Sequence, residues 1–380
     1  MRFSMLLAGL AVLTVVPAPA RADSQSDLEQ CKLIGGLDRV DQSIAACDRV
    51  IADSGVAGSR RAAAFSNRCG WWWARQQLER ALPDCDAAIR IDPDAPAAYI
   101  NRGNVYLGKG DKARALGDYD EAVRRDPKSA WAYNSRGNFY RNNNDPDPAL
   151  ADFDAAIRLD PYYALAYFDR GAVYKSRNEF ARALADLNES LRLDPNNAQA
   201  YFNRGSVSYS MGDNARAIAD YTAAIRFDPA YAAAYLNRGV AYFFVGRSVA
   251  DAEADFRKAN ELDSKNAYAA LWLELAERRN KAPSRLAQTA RHLDMTAWPA
   301  PVIRQFLGEL SSAQTLAAAA DSDPKATQGQ TCEAAFYGGE WALLKDRRQD
   351  AQRLFRLAAS SCPQGFIEAT AAIAELVLKY

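Results

Sequence analysis

Ala98-Tyr99-Ile100-Asn101-Arg102-Gly103-Asn104-Val105-Tyr106 decides the fold, because the pattern Ala-Tyr-x-Asn-Arg-Gly-x-x-Tyr returns, with variation, every 34 residues. Its tyrosines stand at Tyr99, Tyr133, Tyr167, Tyr201 and Tyr235. A self-similar unit of this length, holding two helical patterns and a turn, predicts an array of stacked helix pairs. Asp92-Pro93, Asp126-Pro127, Asp160-Pro161, Asp194-Pro195 and Asp228-Pro229 close five successive units. Each proline stops a helix, since it lacks an N–H and crowds the preceding turn. A sixth unit ends at Asp263-Ser264 and carries one extra residue between Gly246 and Asp255.

Numbering each unit so that its proline is the thirty-second place gives the other positions a meaning. The fourth place is a ring (Phe65, Tyr99, Tyr133, Tyr167, Tyr201, Tyr235) and the eighth a glycine (Gly103, Gly137, Gly171, Gly205, Gly239). The twentieth is alanine and the twenty-fourth mostly aromatic, as in Ala115 with Tyr119, Ala149 with Phe153 and Ala217 with Tyr221. Glycine inside a helix costs about 1 kcal/mol relative to alanine, so its recurrence predicts a close helix crossing against a bulky ring. Arginine recurs at the seventh place (Arg68, Arg102, Arg136, Arg170, Arg204, Arg238) and aspartate at the twenty-third (Asp84, Asp118, Asp152, Asp186, Asp220). These ladders predict ion pairs between the two helices of a unit. A catalytic residue has no reason to repeat six times.

These places resemble the tetratricopeptide repeat family, which has small residues at the eighth and twentieth positions, aromatics at the fourth, eleventh and twenty-fourth, and proline at the thirty-second. The resemblance covers residues 62–266 as six repeats and implies an all-α fold, a right-handed superhelical solenoid of antiparallel helix pairs. Around it the chain divides into a leader (1–22), a degenerate repeat-like cap (23–61), an irregular helical segment (267–330) and a closing hairpin with a capping helix (331–380). Within 267–330, a helix is predicted over Ala269–Arg279 and further ones at 284–293, 302–310 and 311–320. Residues 321–330 read as an exposed linker. Such a cap covers the last apolar face of an open solenoid.

Basic and acidic residues both number 47, so no overall field attracts nucleic acid or an anionic membrane. Met1-Arg2, an apolar run from Leu6 to Val16 and Ala18-Pro19-Ala20-Arg21-Ala22 read as a secretory leader cleaved before Asp23. That run is too short for a comfortable membrane span, and no other segment is a candidate. No cysteine stands beside the cleavage site, so a lipid anchor is not expected. A periplasmic or secreted protein is.

The six cysteines allow fifteen pairings, among which the repeat register chooses. Cys69 and Cys85 replace the glycine and aromatic that meet across other units. Cys31 and Cys47 have the same spacing and reveal a degenerate repeat over roughly 24–57. Gly339, Ala351, Phe355 and Pro363 frame another repeat, with Cys332 and Cys362 at its adjoining ends. Disulfides are therefore expected at Cys31–Cys47, Cys69–Cys85 and Cys332–Cys362. A metal site is the competing reading, opposed by the lack of close cysteine pairs and by a single histidine, His292. No metal or cofactor is expected.

The later segments also resemble the NlpI-type repeat lipoproteins of the bacterial envelope. The similar pieces are Ala270-Leu271-Trp272-Leu273-Glu274-Leu275-Ala276-Glu277, Phe306-Leu307-Gly308, Gln314-Thr315-Leu316, Phe336-Tyr337-Gly338 and Leu354-Phe355-Arg356-Leu357-Ala358 leading into Phe366-Ile367-Glu368. That resemblance implies a periplasm-facing adaptor for peptidoglycan hydrolases or a processing protease, commonly a homodimer. Family geometry puts the second, fifth, ninth, twelfth and thirteenth places on a concave face. It implies a partner groove of Asn104, Trp131, Asn134, Asn138, Arg141, Phe168, Lys175, Phe202, Tyr209, Phe243 and Phe244, suited to a peptide held by amides and rings. Arg141 and Lys175 do not complete the basic clamp with which some family members hold a C-terminal carboxylate. In Trp71-Trp72-Trp73, the second falls on a core place and the third on the groove. The alternatives to an adaptor are a structural subunit of a secretion or envelope-assembly complex and, opposed by the missing phosphate loop and nucleophile elbow, an enzyme with a site in 267–330.

Overall fold

A computed structural model of the chain describes residues 24–32, 39–246, 248–363 and 366–377. The leader at 1–22 lies outside them. The described residues form twenty-one α-helices and no strand. They group into two compact units, Met1–Leu159 and Asp160–Tyr380.

The first unit holds four consecutive helix pairs. They are α1 (Ser24–Cys31) with α2 (Val40–Ala52), α3 (Ser59–Ala74) with α4 (Leu78–Ile91), α5 (Pro96–Gly108) with α6 (Lys112–Arg125), and α7 (Ala130–Asn142) with α8 (Pro146–Leu159). The turn within a pair passes through one left-handed residue, filled at successive repeats by Gln76, Gly110 and Asn144 with φ near 59°, 80° and 59°. Glycine and asparagine adopt that conformation most readily. Between pairs, the aspartate before each proline accepts a hydrogen bond from the amide two residues on, as Asp92 does from Asp94 (3.2 Å) and Asp126 from Lys128 (3.0 Å). The Asp-Pro signature is thus a turn built by carboxylate and ring together.

The crossing predicted for the glycines is present. A Cβ on Gly103 would lie 2.9 Å from the Tyr119 ring, and one on Gly137 2.7 Å from Phe153. Each arginine grips the buried aspartate of its partner helix with two bonds, Nε and Nη2 of Arg136 meeting Asp152 at 2.9 and 2.8 Å. Nη1 then reaches the preceding repeat, at Asp86 from Arg102 and Asp120 from Arg136, both 2.8 Å. One guanidinium therefore fixes the hairpin and ties it to its neighbour. Of the three adjacent tryptophans, Trp71 is the buried one, donating from its indole to the carbonyl of Cys31 at 3.1 Å. Trp72 is half-buried beneath Arg80, and Trp73 is exposed.

The second unit repeats the scheme in α9 (Ala164–Ser176) with α10 (Phe180–Leu193), α11 (Ala198–Ser210) with α12 (Asn214–Phe227), and α13 (Ala232–Ala241) with α14 (Val249–Leu262). The extra residue of the sixth repeat, expected after Gly246, is taken up earlier, in a π-helical turn at Tyr242–Gly246 that continues α13. A π turn is the usual way for a helix to absorb one inserted residue. Then come α15 (Ala267–Arg279), the short α16 (Leu286–Thr289), α17 (Ala300–Phe306) and α18 (Ser312–Ala317). The unit closes with α19 (Pro324–Leu344), α20 (Arg348–Ser361) and α21 (Ile367–Val377). The expected linker at 321–330 is a linker only at its start. Asp323 caps α19 through the amide of Lys325, and Gly329 is already buried beside Phe366.

Trp272 of α15 is the hub of this unit's core, with ring centroids 6.0 Å from Phe243, 5.7 Å from Phe244, 5.8 Å from Phe256 and 5.4 Å from Phe336. The pair α19–α20 is a repeat in all but regularity, a Cβ on Gly339 falling 2.6 Å from Phe355. The six cysteines lie in the three expected pairs at bonding distance, with Cα atoms 4.7 Å apart for Cys31–Cys47, 5.5 Å for Cys69–Cys85 and 4.7 Å for Cys332–Cys362.

Candidate interaction surface

Eleven groove residues were expected from the register, and packing divides them. In the first unit Trp131 is exposed, while Asn104, Asn138 and Arg141 are half-buried. Asn104 accepts a 2.6 Å hydrogen bond from the Tyr119 hydroxyl, which ties it to the core ring of its own repeat. Asn134 is buried, contrary to the groove expectation.

In the second unit Phe243 and Phe244 are core, not groove. The π turn directs both rings at Trp272, and the Arg279 guanidinium stacks 4.4 Å from the Phe243 centroid. Phe168 is half-buried against Ala183, Leu187 and Val207, and Phe202 leans on Tyr221 and Tyr231 at 5.8 and 4.9 Å. Tyr209 is buried, yet it lines a cavity shared with Lys175 and Phe202. These are the groove residues that the fold brings together.

That cavity, roughly 730 Å³, is bounded by α9 to α13 on one side and the first turn of α21 on the other. The capping helix thus covers the inner face of the repeats as well as the last hairpin, with Phe366, Ile367 and Thr370 reaching the cavity. Two asparagines from the sixth place contribute: Asn203 accepts a hydrogen bond from the Lys175 ammonium, and Asn237 lines the wall. Sequence reasoning missed them, although asparagine at the sixth place was in the recurring pattern from the start. Burial pulls the Lys175 ammonium below its ordinary range, and it pushes the Tyr221 hydroxyl up to about 12.

The buried carboxylates Glu274, Glu333, Glu340 and Glu375 do not line this cavity, and each has a partner. Glu274 is held by Arg278 and by the Ser284 hydroxyl at 2.5 Å, and Glu333 by Tyr268 at 2.9 Å and the Trp298 indole at 2.5 Å. Arg279 serves both Glu340 and Glu375, each at 2.6 Å. Such groups cement the segment rather than face a substrate. Among the described residues no cluster of three His, Cys, Asp or Glu side chains is placed to hold a metal, and no helix is long and apolar enough to cross a membrane.

Comparison with known proteins agrees with the repeat geometry. Residues 73–130 and 100–164 match the tetratricopeptide repeat family, and 173–212 and 205–246 match its TPR repeat description. Over 141 residues the chain is 28% identical to the lipoprotein NlpI homolog of Haemophilus influenzae, covering 36% of this chain and 45% of that protein. The chain therefore spans less than half the length of this relative. Among solved structures, the APC/C hetero-tetramer Cut9-Hcn1 aligns with TM-score 0.56 at 14% identity, over 75% of this chain and 54% of that one. The human IFIT1 dimer with PPP-AAAA aligns with TM-score 0.56 at 14% identity, over 89% and 73%. At such identities the likeness is one of fold alone.

Proposed function

The chain carries tetratricopeptide repeats, and from that premise we propose that it is a non-catalytic scaffold of the bacterial envelope. It resides in the periplasm and holds protein or peptide partners on the inner faces of its repeats, bringing peptidoglycan hydrolases or proteases together. One observation carries this reading. The fixed places of every repeat are consumed by packing and ion pairs, whereas the variable second, fifth and twelfth places leave Trp131, Phe202 and Lys175 at least partly open. Partner recognition is the use that a repeat array makes of such positions. The leader-like segment, the three cysteine pairs and the partial likeness to an NlpI homolog support the envelope setting.

A photocrosslinking residue in place of Trp131, which is 42% exposed, tests it in cells. Mass spectrometry is expected to identify a defined set of envelope proteins. The same crosslinker in place of Tyr162, an exposed inter-repeat turn residue, serves as the control. Identical captures at both positions would show that the inner face has no selectivity and would remove the proposal.

A further inference from the structure

The cavity between α9–α13 and α21 has a chemical character of its own. Its volume, roughly 730 Å³, lies in the range of small-molecule sites, about 300–1,000 Å³. Lys175 is the one charged side chain among its described lining residues. The ammonium is bonded to the neutral amide oxygen of Asn203, and among the described residues no carboxylate comes within ion-pair distance. Tyr209 is 6% exposed, and its hydroxyl has no hydrogen-bond partner among the described residues. Glu368, between two lining residues of α21, is not itself a lining residue: it accepts a hydrogen bond from Tyr337 at 3.4 Å, and its charge is felt by the Tyr209 hydroxyl. The apolar part of the wall is chiefly Phe180, Phe202, Phe366 and Ile367, beside neutral polar side chains such as Ser206, Asn237 and Thr370.

A desolvated cation without a counterion and a buried hydroxyl without an acceptor are both costly. A carboxylate is the group that offers both a counterion and an acceptor. We propose that this cavity binds a small amphipathic carboxylate, its anionic head on Lys175 and Tyr209 and its apolar body among the phenylalanines and Ile367. A small molecule fits better than a polypeptide because α21 covers this part of the inner face. That helix is held down by Glu375 on Arg279 (2.6 Å) and Glu368 on Tyr337 (3.4 Å). Lys175 and Phe202 also belong to the inner face that the proposed function gives to partners, so this site rests on that reading and deepens it within the second unit, whereas the Trp131 crosslink tests the first unit separately.

Titration calorimetry on the full chain, with decanoate and decanol below their aggregation limits, tests the assignment. Decanoate is expected to bind one per chain and at least about tenfold tighter than decanol, the scale of a charge-assisted hydrogen bond. Lys175→Met should weaken decanoate to the level of decanol while leaving decanol binding intact, which also reports that the variant is folded. Lys175→Arg should keep the preference for the acid, and Tyr209→Phe should lose part of it. Equal affinity for acid and alcohol, or an unchanged Lys175→Met profile, overturns the proposal. So does an apolar peptide that displaces decanoate and binds more tightly than it, provided its C-terminal amide form does not, since the occupant would then be a polypeptide.

Discussion

Gly137 and Gly117 are both helical glycines, and they separate packing from propensity. A Cβ on Gly137 would sit 2.7 Å from a ring carbon of Phe153, which is fully buried and has nowhere to move. A Cβ on Gly117 would meet nothing within 4 Å. Alanine gains about 1 kcal/mol of helix propensity at either site. Gly117→Ala should therefore stabilise the protein by up to about that amount. Gly137→Ala should destabilise it by about 1–3 kcal/mol, the cost of overpacking a filled core. Denaturant midpoints decide the matter, and shifts of the same sign would refute the close-crossing account. The glycine stripe was legible in the sequence because it repeats in register with a ring sixteen residues later. The third arginine bond was not. Its acceptor, on the second helix of the preceding pair, varies among Asp48, Asp86, Asp120, Asn188 and Thr222, so no ladder announces it.

At the scale of the element, the informative piece is α21. Its helical pattern was readable, but its seat on the cavity was not, because that contact joins segments more than a hundred residues apart and follows no period. The π turn had a similar fate. One surplus residue could be counted, but its rotation of Phe243 and Phe244 into the core depends on Trp272, which the repeat register does not contain. The docking of α21 should depend on pH through Glu368. Burial pushes this carboxyl up to about 7, with the charge of nearby Glu333 adding to the effect and the Tyr337 hydroxyl opposing it. Tyr268 and Tyr209 also face this group of acids, both as neutral hydroxyls near neutral pH. A folded-state pKa above the ordinary 4.5 means that the folded form binds the proton more tightly. The associated stability is complete below pH 4.5 and is lost as pH rises through 7, at most roughly 3 kcal/mol. Hydrogen exchange of residues 367–377, corrected for its intrinsic pH dependence, should show weaker protection at pH 8 than at pH 5, and Glu368→Gln should flatten the difference. Protection that strengthens with pH would contradict the sign.

For the whole molecule, the decisive features are the three cysteine pairs and where they fall. Two close loops of 16 residues within α1–α2 and α3–α4, and the third spans 30 residues within α19–α20. All lie outside the regular repeats from Pro96 to Phe227, which are held by the glycine–ring crossings and arginine ladders instead. In a stacked array each repeat draws stability from its immediate neighbours, so a hairpin with a weaker interface opens first and locally. A bridge across a loop of this size stabilises by about 3 kcal/mol when chain entropy dominates. Reduction should therefore act on parts of the molecule rather than on all of it. Hydrogen exchange in a thiol reductant is expected to rise in α1–α4 and α19–α20, with α5–α8 unchanged and α21 loosening along with the hairpin it rests on. The pair Cys69–Cys85 gives the sharpest case, because it replaces the glycine–aromatic contact of the other repeats instead of supplementing it. Replacing Cys69 by glycine and Cys85 by phenylalanine should restore that contact and make α3–α4 insensitive to reductant, while α1–α2 and α19–α20 remain sensitive. If the double variant unfolds, or if reduction destabilises every repeat equally, the bridges are not local staples. If the response stays local, the protein depends on an oxidising compartment at its flanking hairpins and not in its central repeats, a division of labour that suits an exported scaffold.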